Sequence, residues 1–423
     1  MSAGDLARDS ALLAERVAAG DDVLSGLPPR PERDPARQRI ADDVHQRCRA
    51  LRRRFLESHT AEVYAAVTGD DDEHRSLTDL ALAVADHFPG LVPDAARLAR
   101  ERELRQAGKE GHEIDQGILL QALLANDGTG EHLVRTLLRP TAAARKLLDD
   151  FRRTGRADLP TVTLERHGGV AHLTVHNLDC LNAEDDQLAE DMETAVDLAL
   201  LDPAVGVGVL RGAPMTHPAY RGRRVFSAGL NLRHLHAGQI SYTGFLMRRE
   251  LGYVNKLVRG LYTGDEPPRE IPWVAAVDTF AIGGGAQLLL AVDWVVAAAD
   301  SYLSLPAAQE GIVPGVAALR LRRRVGGGLA RKILLAGRKV WAAEPDGALL
   351  CDEVVDPRDM DAAVAAAAER LDNPAVVANR AMLNLAEEPP EVFRRFTAEF
   401  ALRQVLRLYS ADVISKVDGW AAA

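Results

Sequence analysis

Sulfur and long apolar runs are scarce in this chain, and there is no excess of positive charge. It has 3 cysteines in 423 residues, and Cys48, Cys180 and Cys351 lie far apart in the sequence. An odd, scattered set argues against a disulfide framework and against a zinc cage. No run of about 18 apolar residues occurs, so no transmembrane helix is expected. The opening MSAGDLARDSALLAERVAAG is charged and amphipathic, without the apolar stretch of a secretory signal. These absences point to a cytoplasmic protein with no membrane association. Net charge is -10, so the surface as a whole should repel nucleic acid. A local cluster can still take an anionic small molecule, and Tyr220-Arg221-Gly222-Arg223-Arg224 is such a cluster.

What is present is apolar content. At 47% hydrophobic residues the chain can bury a large core, and its length suits more than one domain. Residues 1–158 read as an α-helical N-terminal domain. Ile40, Val44, Cys48, Leu51 and Phe55 recur at spacings of four and three, which predicts one apolar helix face. Pro28, Pro29, Pro31 and Pro35 mark an irregular segment before that helix. Ser76, with Asp79 three residues on, predicts a capped helix start at LTDLALAVADHF. EIDQGILLQALLAN and HLVRTLLRPTAAARKLLDDF predict two more helices, the second kinked or split at Pro140. No catalytic constellation stands out here, and packing or assembly is the expected role.

The pattern changes near Leu159. TVTLERHGGVAHLTVHN predicts two strands around Gly168-Gly169. A helix is expected over residues 184–201, followed by a buried strand, GVGVLRG. WVAAVDTF runs into AIGGGAQLLLAVD as a strand, turn and helix, and WVVAAADSYLSL predicts a further strand pair. Strands alternating with helices make 159–345 an α/β core. Residues 346–423 read as a helical C-terminal region suited to oligomerisation.

Two glycine-containing turns draw the chemistry. The first is Phe226-Ser227-Ala228-Gly229-Leu230-Asn231-Leu232, and the second is Ala281-Ile282-Gly283-Gly284-Gly285-Ala286-Gln287. Each is expected to follow an apolar strand and open a helix. N–H groups at a helix start lack intrahelical acceptors and carry partial positive charge. Such a site favours an oxygen that becomes negative, and glycine lets a ligand approach the backbone. Alone, each turn is equally well explained by tight strand–helix packing. GGGAQL is not a dinucleotide fingerprint, because the spaced third glycine is missing.

Together, FSAGLNL and AIGGGAQLLLAVD resemble the paired oxyanion-hole signatures of the crotonase (enoyl-CoA hydratase/isomerase) superfamily. Leu181-Asn182-Ala183 resembles its short coenzyme A motif, and LPAAQEGIVPG its next loop. This resemblance covers about 160–345. It implies an α/β fold with a crotonase-type ββα spiral core, and trimers often paired into hexamers. It also implies an acyl-coenzyme A whose thioester oxygen is held by the N–H groups of Leu230 and Gly284. Ala228, Gly229, Asn231 and Leu232 surround the first donor. Arg221, Arg223, Arg224 and Arg233 flank that turn as candidates for the phosphates, a solvated basic loop being the plain alternative. His217 and Tyr220 are candidates for the nucleotide portion.

The departures are as informative. Hydratases of this superfamily place water with two glutamates, and the matching positions here are Gln287 and Ala307. An amide is neither acid nor base near neutrality, and alanine is inert, so hydration is not expected. Glu310 lies nearby but out of register. The helical N-terminal region, HNLDCLNAEDD, THPAYRGRRVFSAGLNL, FLMRRELGY and FAIGGGAQLLL resemble the DpgC-type dihydroxyphenylacetyl-CoA dioxygenases of glycopeptide antibiotic biosynthesis, across nearly the whole chain. That resemblance implies conversion of 3,5-dihydroxyphenylacetyl-CoA and O2 to 3,5-dihydroxyphenylglyoxylate and coenzyme A, with no metal or organic cofactor.

The chemistry can be argued beside the resemblance. The α-proton of an arylacetyl thioester is acidified by carbonyl and ring, and the enolate can pass an electron to O2. A dry apolar wall would protect it, and Leu230, Leu232, Ile282, Ile312 and Val313 are available for that wall or for ordinary packing. Arg249 is the first choice to meet the ring hydroxyls. Arg248 stays open as the alternative, since only one of two helix neighbours points inward. Glu184 can accept a phenol proton or simply open a helix, and Gln287 can donate and accept. His234 and His236 would share an iron only in an extended stretch, because residues two apart on a helix diverge by about 200°. Two other readings stand: a thioester hydrolase or isomerase of the same fold, and a coenzyme A-binding assembly protein without chemistry.

Overall fold

The computed structural model describes residues 5–69, 74–264 and 267–421. Two compact units emerge, each gathered from segments distant in sequence. The first comprises Met1–Thr136, Leu232–Met247 and Arg394–Ala423, and the second Leu137–Asn231 and Arg248–Phe393. The sequence reading drew three consecutive segments instead.

The first unit is helical. Ser76 caps Leu77–His87 as expected, its Oγ accepting from the Asp79 N–H at 3.0 Å. Asp34 caps the long helix Pro35–Thr68 through the N–H groups of Ala36 and Arg37. The buried face of that helix differs from the periodicity, because Ile40 is 48% exposed. Cys48 and Phe55 are buried as expected, Val44 and Leu51 are half-buried, and Ala41, His45, Arg52 and His59 join the buried face. Polar residues take these inner positions because each finds a partner. The Arg52 Nε donates to Gly90 O at 2.9 Å, and His59 lies between Asp9 and Glu62 at 3.0 and 2.6 Å.

Pro140 lies between helix Asp127–Leu137 and helix Ala142–Thr154 of the second unit, which Thr141 caps. The strands are β1 (Arg156–Asp158), β2 (Val162–His167), β3 (Val170–Val175), β4 (Val207–Gly212), β5 (Trp273–Val277), β6 (Phe280–Ile282), β7 (Trp294–Ala298), β8 (Tyr302–Ser304), β9 (Val340–Trp341) and β10 (Glu353–Val355). Seven of them form one sheet in the order β1-β2-β3-β4-β5-β7-β10. Its β1–β3 portion is antiparallel and the rest parallel. The smaller sheet runs β6-β8-β9. The strand pair expected in WVVAAADSYLSL is therefore not a pair, since β7 and β8 join different sheets. Every residue of β5 is buried, as a parallel sheet covered on both faces requires. Helix Met360–Leu371 covers one face, packing Met360, Val364 and Ala367 on Val209, Val274 and Val296. Gly208 leaves room for the buried Trp273 ring beside it; an added Cβ would collide with that ring.

Helix Asp186–Leu201 carries buried acids, and a buried lysine answers them. Lys256 is fully enclosed, with Nζ 3.0 Å from Glu193 and 2.7 Å from Asp197. Among the described residues no helix is long and apolar enough to cross a membrane. None of the three cysteines is in a disulfide, and burial pushes the Cys351 thiol up to about 12, which keeps it protonated and unreactive at neutral pH.

Removing the cation from a buried ion cluster leaves uncompensated charge, at a cost of about 3–5 kcal/mol. Lys256→Met should therefore lower the thermal midpoint by several degrees, whereas Lys339→Met, over the Tyr302 ring, should change it little. Equal shifts in thermal unfolding would contradict the assignment.

Candidate active site

The first glycine turn does not follow a regular strand. Residues 213–231 form a loop pinned by isolated bridges, among them Glu184 to Leu230 and Ser227 to Ala281. One neighbour is the Leu181-Asn182-Ala183 segment. Leu181 and Asn182 both adopt positive φ, 57° and 56°. Such backbone is costly for leucine and persists only where the surroundings hold it. The enclosed Asn182 amide supplies the hold, donating to Val225 O at 2.8 Å and to Val175 O at 3.1 Å.

This strained segment sets the first turn. The Glu184 N–H donates to Gly229 O at 2.6 Å, and the Asn231 N–H to Glu184 O at 2.8 Å. That parallel bridge turns the Leu230 N–H away from Glu184. The second turn follows β6 and packs glycine on glycine against the first: a Cβ at Gly229 would lie 3.1 Å from Ile282 O and 3.3 Å from Gly283 Cα. Gly229 has φ 86° and Gly283 φ 52°, values that suit glycine. Among the described residues neither the Leu230 N–H nor the Gly284 N–H has a protein acceptor. The helices that follow, Leu232–His236 and Gly284–Leu288, have only 5 residues each. Free N–H groups, not a long macrodipole, are what these turns offer.

Around Gly284 lies a buried polar cluster. Glu184 rests its carboxylate on the bare Gly284 Cα, where any side chain would collide with Oε2. Arg249, 4% exposed, grips both oxygens of Glu184 at 3.1 and 3.2 Å. Its Nη2 also donates to Gly284 O at 2.6 Å, and Nη1 to Glu250 at 2.6 Å and Gln287 Oε1 at 3.1 Å. All five guanidinium donors are thereby used. Tyr253 donates to Glu184 at 3.3 Å, and the Val316 N–H to Glu250 at 3.1 Å. Burial works against the charge on Arg249, but Glu184, Tyr253 and Glu250 raise its pKa above the ordinary arginine value. Burial likewise holds the Tyr253 hydroxyl protonated.

The structure thus brings Arg249, Glu184, Gln287 and Gly284 together, next to Leu230. Arg248 turns elsewhere, to Glu193 at 2.6 Å. Glu250 and Tyr253 escaped the sequence reading. The carboxylate directly after the arginine pair, and a tyrosine one helical turn on, were the available signals. Leu230, Ile282, Ile312 and Val313 are each half-buried, as is Leu232. Ala228 and Ile282 pack on the Met215–Val225–Phe280 core, and Asn231 is buried with its amide 3.2 Å from Asp185. The basic residues are not one cluster. Arg224 donates to Gly212 O at 3.0 Å, Arg223 pairs with Asp300 at 2.9 Å, and Arg221 and Arg233 are exposed. His217 is exposed, and Tyr220 stands edge-on to Phe280. His234 and His236 lie within the one-turn helix, where their side chains diverge. Among the described residues no three His, Cys, Asp or Glu side chains are grouped to hold a metal.

The chain has known relatives in sequence and fold. The family described as "Enoyl-CoA hydratase/isomerase" matches residues 165–403. The chain is 54% identical over 417 residues to the (3,5-dihydroxyphenyl)acetyl-CoA 1,2-dioxygenase of Amycolatopsis orientalis, covering 98% of this chain and 96% of that protein. A probable enoyl-CoA hydratase of Rhizobium meliloti is 28% identical, over 50% of this chain and 75% of its own length. A crystal structure of an enoyl-CoA hydratase/isomerase from Mycobacterium paratuberculosis superposes with a TM-score of 0.51 at 26% identity, covering 62% of this chain and all of that one.

One carboxyl in the loop after β8 stands apart from the Arg249 cluster. Burial alone pushes Glu310 up to about 7 from an ordinary 4.5. Its protonated form therefore fits the fold better than its charged form. The stability it contributes is complete below the unfolded carboxyl pKa and is lost as pH rises through about 7. Wild-type protein should lose more stability between these pH values than Glu310→Gln does. Thermal midpoints measured for both across that range check this, and parallel curves would contradict it.

Proposed function

Because the chain belongs to the enoyl-CoA hydratase/isomerase family yet lacks both hydration glutamates, we propose that it is a (3,5-dihydroxyphenyl)acetyl-CoA 1,2-dioxygenase that needs neither metal nor organic cofactor. The observation that carries this reading is the extent of the likeness. The relative bearing that activity matches 98% of the chain, helical unit included, whereas the hydratase of Rhizobium meliloti matches 50%.

The geometry supports the reading. The thioester oxygen would lie between the Leu230 and Gly284 N–H groups. Each such donor is typically worth about 3–4 kcal/mol at an oxyanion. Loss of the α-proton then gives an enolate. The enolate passes one electron to O2, and the radical pair joins as a Cα peroxide. The distal peroxide oxygen attacks the thioester carbonyl and expels the coenzyme A thiolate, closing a four-membered cyclic peroxide. Loss of the remaining α-hydrogen as a proton turns the C–H electron pair into the second Cα–O bond, and the O–O bond breaks with its pair passing to the carboxylate oxygen. Both oxygen atoms enter the product, 3,5-dihydroxyphenylglyoxylate, and the thiolate takes up a proton.

The polar cluster suits a phenolic ring. Glu184 and Glu250 are acceptors for ring hydroxyls, Gln287 can donate, and Arg249 fixes and charge-balances all three. Leu230, Leu232, Ile282, Ile312 and Val313 would form the dry wall, and Arg221, Arg223, Arg224 and Arg233, with His217, Tyr220, Ala228, Gly229 and Asn231, the rim that meets coenzyme A. The domain division 1–158, 159–345 and 346–423, a cytoplasmic location, and assembly as a homotrimer or a hexamer of paired trimers complete the proposal.

Turnover of 3,5-dihydroxyphenylacetyl-CoA in an oxygen electrode, with chelator present, should consume O2 and release thiol in equal amounts. Thiol release under strict anaerobiosis would indicate a hydrolase instead, and iron-dependent turnover would defeat the metal-free reading. Arg249→Ala should reduce kcat by roughly 100-fold or more while KM changes far less, since a misplaced acceptor set harms the transition state most. Equal loss in both would misplace the arginine.

A further inference from the structure

The first turn and Arg249 are joined by one stretch of chain, and that stretch does not belong to the unit on either side of it. Leu232–Met247 is part of the helical unit, while the flanking Leu137–Asn231 and Arg248–Phe393 belong to the sheet unit. The segment therefore begins two residues after Leu230 and ends two residues before Arg249.

The helical unit holds it with buried charge. Lys109, 2% exposed, donates from Nζ to Gly238 O at 2.7 Å. Its own carbonyl is pinned by Arg30 Nη1 at 2.6 Å. Glu113, also buried, accepts the Tyr242 N–H at 2.8 Å with one oxygen and the Tyr409 hydroxyl at 2.6 Å with the other. The Tyr242 hydroxyl donates to Ala401 O at 2.9 Å, and Thr243 bonds Thr78 at 2.9 Å. Gly238 approaches so closely that a Cβ there would collide with Leu104 O.

Two details mark this as specified geometry and not only packing. The contacts that Lys109 and Glu113 make with this segment are hydrogen bonds to its backbone, Gly238 O and the Tyr242 N–H, and not ion pairs. Burying a charge for the sake of a backbone group is expensive where an apolar contact would hold as well. The segment also ends in a π-helical turn, Tyr242–Met247, which runs directly into Arg248–Leu251. Ser241 O accepts from both Phe245 N and Leu246 N, at 3.2 and 3.3 Å. Such turns are rare and gather at functional sites.

We propose that Lys109 and Glu113 are positioning residues: by fixing Gly238 O and the Tyr242 N–H they set the chain that presents the Leu230 N–H at one end and Arg249 at the other. The inference rests on the reaction proposed above. An error of about 1 Å at a reacting centre can cost up to about 100-fold in rate.

The test uses the full chain and the variants Lys109→Met, Glu113→Ala and Glu113→Gln. Two rates are read: O2 uptake with 3,5-dihydroxyphenylacetyl-CoA, and anaerobic exchange of its α-hydrogens with D2O, which reports enolate formation alone. Lys109→Met and Glu113→Ala should lose roughly 10- to 100-fold in both rates, with KM little changed and the thermal midpoint lowered by a few degrees, because buried groups are left unpaired. Glu113→Gln, whose amide oxygen can still accept the Tyr242 N–H, should recover most of the loss. Thr243→Val, which removes one hydroxyl contact at nearly constant volume, serves if the larger changes prevent folding, and should lower exchange by about 3-fold on the same grounds. Unchanged exchange in the folded variants, or Glu113→Gln no better than Glu113→Ala, would overturn the inference. A wild-type chain that exchanges the α-hydrogens but takes up no O2 would instead defeat the reaction assignment and leave the positioning role standing.

Discussion

A carboxylate pressed against a bare Cα is the contact around which the site is organised. Glu184 can lie on Gly284 only because no side chain stands there, and a buried carboxylate must be paired. Arg249 supplies the pair and, with its remaining donors, also takes up Gly284 O, Glu250 and Gln287. The residue whose backbone N–H is proposed to meet the ligand oxygen is thus tied through its carbonyl to the polar cluster. Movement at either end is felt at the other. A network of this kind rigidifies when every member is satisfied and fails when one is removed.

Members of one fold family can share a donor pair and still run different reactions, because chemistry resides in side chains placed on the fold. Here the two turns remain, and the positions that would place water hold an amide and a methyl group. What replaces them is a saturated array of acids around one arginine. Such an array can orient a phenol but leaves no neutral-pH base in the hydration positions. In the reaction proposed above the electron for oxygen comes from the ligand itself, so an acidified carbon beside an electron-rich ring carries the reactivity.

Local features were legible in the sequence. The Ser76 cap, the Pro140 break, the strands around Gly168-Gly169 and the two glycine turns each follow from a few adjacent residues, and each is present. The gathering of Glu184, Arg249 and Gln287 was readable through resemblance, and the choice between Arg248 and Arg249 needed coordinates, because helix phase is set by what precedes it. Ile40 misled because apolar spacing cannot register a buried arginine or histidine whose partners lie far off in sequence, such as Asp9 with His59. Glu250 and Tyr253 were missed for a related reason: beside an arginine, an acid looks like surface charge until burial is known. The membership of Leu232–Met247 in the helical unit rests on contacts from Thr78, Lys109, Glu113 and Ala401, none of which a window of sequence contains.

The π-turn before Arg249 is a place where the chain holds a spare residue. Its ring is wider than that of the α-helix it feeds, so it takes up one more residue over nearly the same angle. Removing one residue there would let the turn relax to α and leave the phase of Arg249 almost unchanged. The same deletion in a regular α-turn leading to the arginine pair would swing that pair by about 100° and present the wrong neighbour to Glu184. The turn is slack in the winding of the chain, and the winding around it has none.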